Sequence, residues 1–181
     1  MTSGSDPIVP DDKDWTWVLR EPCPECGFVA ADVDPADVGP GIDAQVATWQ
    51  AVVRRDAAAV RPRPERWSDL EYACHVRDVF TVFAGRIEQM LDEPEGSEGA
   101  RFANWDQDAA ALEGDYAHAD PTLVEDQLAR EGERLAAALA RVEGADWQRR
   151  GLRSNGSEFT TATLTQYLVH DLEHHRVDVG A

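Results

Sequence analysis

From Ile42 the apolar positions Ile42, Val46, Trp49 and Val53 recur at steps of four, three and four, the spacing of a helix that buries one stripe. This predicts a first helix from Ile42 to about Val60. Arg61-Pro62-Arg63-Pro64 closes it, because each proline lacks an amide hydrogen and disfavours helical geometry in the residue before it. Ser68 and Glu71 then have capping-box spacing, flanked by Trp67 and Tyr72 as a hydrophobic staple, so a second helix starts here. Val76, Phe80, Phe83, Ile87 and Met90 or Leu91 carry its stripe as far as the Pro- and Gly-bearing segment Asp92 to Gly99. Asp120-Pro121 supplies an N-cap and a first-turn proline for a third helix, striped by Val124, Leu128, Leu135, Leu139 and Val142 up to Gly144. Gly132 inside it costs about 1 kcal/mol relative to alanine, which packing must offset. A fourth helix runs from near Thr160 to about Val179.

The segment 93–120 is far longer than the usual link between antiparallel neighbours, which predicts a crossover along the bundle. It carries Phe102, Asn104, Trp105, Asp106 and Tyr116, more aromatic and polar apparatus than a passive linker requires. The expected fold is therefore all-α: a four-helix bundle over residues 42–181 with a long connection between helices two and three. Residues 1–14 read as a flexible tail. Residues 15–41, dense in Pro, Gly and Asp, read as an irregular arm that Trp15, Trp17, Val18 and Leu19 pin to the core.

Composition narrows the function. A length of 181 residues suits one domain, and 43% hydrophobic with 29% charged residues is the mix of a globular chain. The 35 acidic against 17 basic residues give a net charge of -18, a field that repels phosphate backbones and argues against nucleic acid as a partner. No apolar run approaches the ~20 residues a membrane helix needs. The start, Met1 to Asp14, is polar and carries Pro and Asp where a secretory signal needs positive charge followed by an apolar stretch, so a cytoplasmic location without a membrane partner is expected. Three cysteines are too few for a disulfide framework. Cys23-Pro-Glu-Cys26 has the two-thiolate half of a zinc knuckle but no second Cys-x-x-Cys, so a knuckle would borrow Cys74 or a histidine; a redox pair and a plain turn are the other readings.

On the fourth helix His170 and His174 are four residues apart, on one face and about 6 Å apart along the axis, where two imidazoles can grip one ion. His175 points about 100° away from His174 and is expected off that face. A third ligand has to come from another helix, and His75 is the other helical histidine; His118 lies in the connection and is a weaker candidate. The alternatives are hydrogen-bonded core or surface histidines, or a zincin-like site in which Asp171 stands, one methylene shorter, where His-Glu-x-x-His has its glutamate.

The segments Trp67-Ser68-Asp69-Leu70-Glu71-Tyr72-Ala73-Cys74-His75-Val76-Arg77-Asp78-Val79, Asn104-Trp105-Asp106, Arg153-Ser154-Asn155-Gly156-Ser157-Glu158-Phe159-Thr160 and His170-Asp171-Leu172-Glu173-His174-His175 together resemble the DinB-like superfamily. That superfamily includes mycothiol-dependent maleylpyruvate isomerase and the bacillithiol and mycothiol S-transferases. The resemblance covers roughly Ile42 to Val179 and implies a four-helix bundle with one zinc or nickel ion at the residues matching His75, His170 and His174. It implies a metal-dependent transferase or isomerase in which a small thiol attacks a small-molecule electrophile, with a homodimer as the expected assembly. Asn104, Trp105, Asp106 and Arg153 are the candidate thiol or substrate contacts, each also readable as a loop-ordering residue. The competing class is a non-enzymatic bundle in which the metal is a structural cross-link.

Overall fold

The computed structural model describes Ile8 and residues 13–181. The tail expected over residues 1–14 lies, apart from Ile8, Lys13 and Asp14, outside the described residues. Four long helices, α1 (Val38–Val53), α2 (Asp69–Asp92), α4 (Pro121–Ala140) and α5 (Thr161–Val179), form the bundle, and a short α3 (Gln107–Glu113) lies in the connection between α2 and α4. None of the helices among the described residues is long and apolar enough to cross a membrane.

The helix starts follow the local chemistry. Ser68 Oγ accepts from Glu71 N–H at 3.2 Å while Glu71 Oε2 accepts from Ser68 N–H at 2.8 Å, so α2 opens on a reciprocal cap, with Trp67 edge-on to Tyr72 beside it. Asp120 caps α4 by accepting from the N–H groups of Thr122 and Leu123. Helix α1 differs from its expected span at both ends. It begins four residues earlier, because Pro40 falls in the first turn, where a missing amide hydrogen is tolerated. It ends at Val53, where the chain turns inward to bury Ala58 and hand that residue's carbonyl to Leu70 N–H at 2.8 Å.

The core between the helices is built on Trp49, Phe80, Phe83, Ile87, Leu128, Leu135, Leu164 and Leu168. Gly132 has its explanation here. A Cβ at that position would lie 2.3 Å from Val46 Cγ2 on α1, so the glycine permits the close approach of α1 and α4.

The sheet was not legible in the pattern. Strands β1 (Ala100–Phe102), β2 (Arg150–Arg153) and β3 (Glu158–Thr160) form it, β1 parallel to β2 and β2 antiparallel to β3. Three- and four-residue strands are too short to show alternation. The sheet joins the α2–α4 connection to the loop before α5: Ser154 N–H donates to Phe102 O at 3.0 Å, and Asn104 N–H donates to Ser154 Oγ at 2.8 Å. The arm before α1 folds as 3-10 turns, Trp15–Leu19, Ala30–Asp32 and Pro35–Asp37. Val18, Cys23, Phe28 and Ala30 form its own small cluster, packed against Tyr167 and Val169 of α5.

Candidate metal centre

His75 lies in the second turn of α2, fully buried, with Trp105 stacked on its ring at 5.3 Å and 15° and Trp67 tilted against it at 5.4 Å. From α5, Oδ1 of Asp171 comes within 3.2 Å of His75 Nε2 and 3.6 Å of His175 Nε2. Donor atoms of the three side chains all lie within 4.8 Å of one another. Ligands that share an ion at about 2.1 Å are roughly 3–3.5 Å apart, so two imidazoles and a carboxylate fit a divalent ion with little movement. Behind His175, Asp178 Oδ2 accepts from Nδ1 at 2.9 Å, which fixes the ring with Nε2 facing Asp171. Burial pushes His75 down in pKa, keeping it neutral as a ligand must be. Burial is the largest influence on Asp171 and works against its charge, but the hydrogen bond with His75 and the fields of His75, His175 and His170 together outweigh it and hold the carboxyl at about 2.

His170 and His174 face elsewhere. Their donor atoms lie within 4.8 Å of those of Cys23 and Cys26 from the arm. The three residues expected as one ligand set are thus divided: His75 stands with Asp171 and His175, while His170 and His174 stand with the two cysteines. Helical phase is the cause. Leu164, Leu168, Asp171 and His175 follow steps of four, three and four and continue the stripe that faces α2, whereas His170 and His174 are rotated roughly 100° away, toward the arm. His118 is exposed and paired with Asp115 at 2.7 Å, and Cys74 is buried in the main core; neither belongs to either group.

Asp171 also lines a cavity of about 570 Å³. Asn104, Trp105, Asp106 and Arg153, the residues named from the sequence, all line it too. Their side chains are differently engaged. Asp106 caps α3 through the N–H groups of Asp108 and Ala109. Arg153 donates to Asn155 Oδ1 at 2.9 Å and Ser157 Oγ at 3.0 Å, and its guanidinium lies over the rings of Phe159 and Tyr167.

Arg86 and Tyr167 complete the cavity and were not anticipated. Buried Arg86 donates to Ala103 O at 3.1 Å and has no carboxylate at ion-pair distance among the described residues. Burial, then the neighbouring Arg153, lowers its pKa to about 10, which still leaves it charged at neutral pH. The signal for it was present: Val79, Phe83, Arg86 and Met90 step four, three and four, so a charge interrupts an apolar stripe.

A family model described as the DinB superfamily matches residues 43–178. The chain belongs to the DinB superfamily. The match takes in both helices that carry His75, Asp171 and His175, while Cys23 and Cys26 precede it. This DinB member is also similar in structure to YfiT from Bacillus subtilis, with a TM-score of 0.62 and 17% identity over 94% of this chain and 89% of that one. YfiT is described as "a probable metal-dependent hydrolase with an unusual four-helix bundle topology". At that identity the likeness shows the bundle fold. No curated protein matches the chain.

Proposed function

We propose that the protein is a metal-dependent transferase or isomerase, in which His75, Asp171 and His175 hold one divalent ion and a low-molecular-weight thiol such as mycothiol attacks a small anionic electrophile in the adjoining cavity. The observation that carries this reading is the composition of the cavity wall. It offers the guanidinium groups of Arg86 and Arg153 but, among the described residues that line it, no serine, threonine, cysteine or histidine, which favours an attacking atom that arrives with a second molecule.

An ion with three protein ligands, zinc or nickel, keeps an open position and lowers the pKa of a thiol or water that enters it. The protein's own groups do the rest. Asp178 orients His175, and Trp105 stacks on His75 and screens it from solvent. Arg86, desolvated and without a carboxylate partner among the described residues, binds the negative group of the electrophile. Tyr167, whose phenol burial pushes up to about 12, keeps its proton and presents an O–H donor to a substrate oxygen. A reduced cytoplasmic thiol pool is the setting in which such a site works.

The second reading replaces the thiol with water, in line with the description of YfiT as a probable metal-dependent hydrolase. A purely structural metal is disfavoured by a three-ligand set beside a cavity, since structural sites close with four. Turnover separates the three. Zinc-loaded protein and chelator-stripped protein are assayed with mycothiol, bacillithiol or glutathione against epoxides, activated halides and unsaturated acids, and without thiol against esters and amides. The proposal expects thiol-dependent turnover that is lost on stripping while helical circular dichroism persists. Turnover without thiol moves the assignment to a hydrolase, and loss of the helices with no turnover in any assay moves it to a structural ion.

A further inference from the structure

The arm that carries Cys23 and Cys26 has only a small buried cluster of its own. Its own buried cluster is Val18, Cys23, Phe28 and Ala30, with 3-10 turns and no strand pairing, which is far below the core a segment of this kind needs without a staple. Yet it lies in a defined position against α5, where Gln166 Nε2 donates to Ala30 O and Val33 O.

Chemistry and spacing at the contact match. Cys-x-x-Cys on the arm and His-x-x-x-His on α5 have the intervals of a two-cysteine, two-histidine zinc site. Around the cysteines the backbone is already turned, with Gly27 N–H donating to Cys23 O at 2.8 Å and Cys23 N–H donating to Phe28 O at 2.9 Å. Gly27 closes that turn at φ +79°, where a side chain would be strained. Sγ of Cys23 lies 3.8 Å from Nδ1 of His174, close to the separation of roughly 3.6 Å expected for a sulfur and a nitrogen on one tetrahedral zinc. On its far side His174 Nε2 faces Glu25 Oε2 at 3.7 Å, an outer carboxylate of the kind that orients a ligating imidazole.

An independent observation also points to a ligand. His170 is only 3% exposed, and its Nε2 is buried without a hydrogen-bond partner, an arrangement that costs about 1–3 kcal/mol unless something satisfies the nitrogen. Trp15 packs on the rings of His170 and His174 at 5.4 and 4.9 Å, and Phe28 is edge-on to His170 at 5.3 Å. Aromatic cover and four protein ligands leave no position for a substrate.

We propose that Cys23, Cys26, His170 and His174 bind a second ion, a structural Zn²⁺, in a closed site that fastens the N-terminal arm to α5. Its consequence reaches the cavity. Asp14 and Trp15, on the stretch of arm that this ion anchors, form part of the cavity wall, and Asp14 lies 3.6 Å from Arg153. The second ion therefore shapes the substrate pocket from outside without taking part in chemistry.

Cobalt loading in thiol-free buffer tests this directly, because a thiolate-to-cobalt charge-transfer band requires cysteine ligation and the group of His75, Asp171 and His175 contains no sulfur. Wild-type protein is expected to show the band and to bind two equivalents of zinc. His75→Ala/His175→Ala protein should keep the band and one equivalent, and Cys26→Ser protein, left with the Cys23 thiolate alone, should lose at least half of the band's intensity and tight binding of one equivalent. Should Cys26→Ser protein fail to fold, zinc X-ray absorption on His75→Ala/His175→Ala protein decides instead, with two sulfurs at about 2.3 Å and two nitrogens at about 2.05 Å expected. A wild type without the band, a shell of nitrogen and oxygen only, or a Cys23–Cys26 disulfide in protein purified under reducing conditions overturns the proposal. One equivalent in wild type with the band present would instead remove the ion at His75 and leave this one standing.

Discussion

Oδ1 of Asp171 lies 3.2 Å from Nε2 of His75, so a carboxylate on the last helix and an imidazole on the second converge from segments 96 residues apart. If that pair and His175 form the ion site, ligand substitutions should rank by distance from it. His175→Ala is expected to abolish binding at this site, and Asp178→Asn, which removes only the orienting carboxylate, to weaken it by roughly 10–100-fold. His118→Ala, at an exposed turn, should leave it unchanged. Zinc titration of each variant in the Cys26→Ser background reads this site alone; equal losses at His118 and His175 would show nonspecific binding.

Much of this was legible from spacing. The capping box at Ser68 and Glu71, the N-cap at Asp120 and the apolar stripes gave the four long helices, because each signal is local. The pairing of histidines was not. The last helix carries two interleaved pairs four residues apart, His170 with His174 and Asp171 with His175, and either can grip an ion. Only the phase of Leu164 and Leu168 tells which pair turns toward α2. His170-x-x-x-His174 is also the missing half of the knuckle begun by Cys23 and Cys26, but the two halves are separated by almost the whole bundle and meet only once it has folded. The three-stranded sheet left still less trace, since its register depends on the meeting of two loops.

Arg86 should act on substrate binding rather than on the ion. Arg86→Met keeps the apolar stem but removes the charge, and a hydrogen-bonded charge of this kind contributes about 1.5–3 kcal/mol. For an anionic electrophile KM is expected to rise at least tenfold, with zinc stoichiometry unchanged. An unchanged KM for acids together with a raised one for neutral electrophiles would remove Arg86 from the role of anion anchor.

Gly132→Ala tests the contact of α1 with α4. Helix propensity favours the alanine by about 1 kcal/mol. Against that, its Cβ would stand 2.3 Å from Cγ2 of Val46, a β-branched residue with little rotamer freedom on a helix. Overpacking costs about 1–3 kcal/mol, so the variant should melt a few degrees below wild type. A higher Tm would show that α1 yields to the extra methyl.

Acid should weaken the start of α2. Burial pushes the Glu71 carboxyl up, but the Arg61 guanidinium, at 2.5 Å, and the Ser68 N–H more than offset it, leaving the folded pKa below the ordinary 4.5. A depressed folded pKa contributes stability that is present above 4.5 and lost as pH falls through the lower, folded value. Glu71→Gln is therefore expected to cost about 1.5–3 kcal/mol at pH 7 in urea unfolding, with the difference from wild type shrinking below pH 4.5. A difference that stays constant down to low pH would mean that packing, not the ion pair, is what the substitution disturbs.

The most direct measurement for the whole account is an anomalous difference map collected at the zinc edge from crystals of the zinc-loaded wild-type protein. The account predicts a peak between His75, Asp171 and His175, open toward the cavity that Arg86 and Trp105 line. Zinc density confined to Cys23, Cys26, His170 and His174, or shared by His75 with His170 and His174, would contradict it.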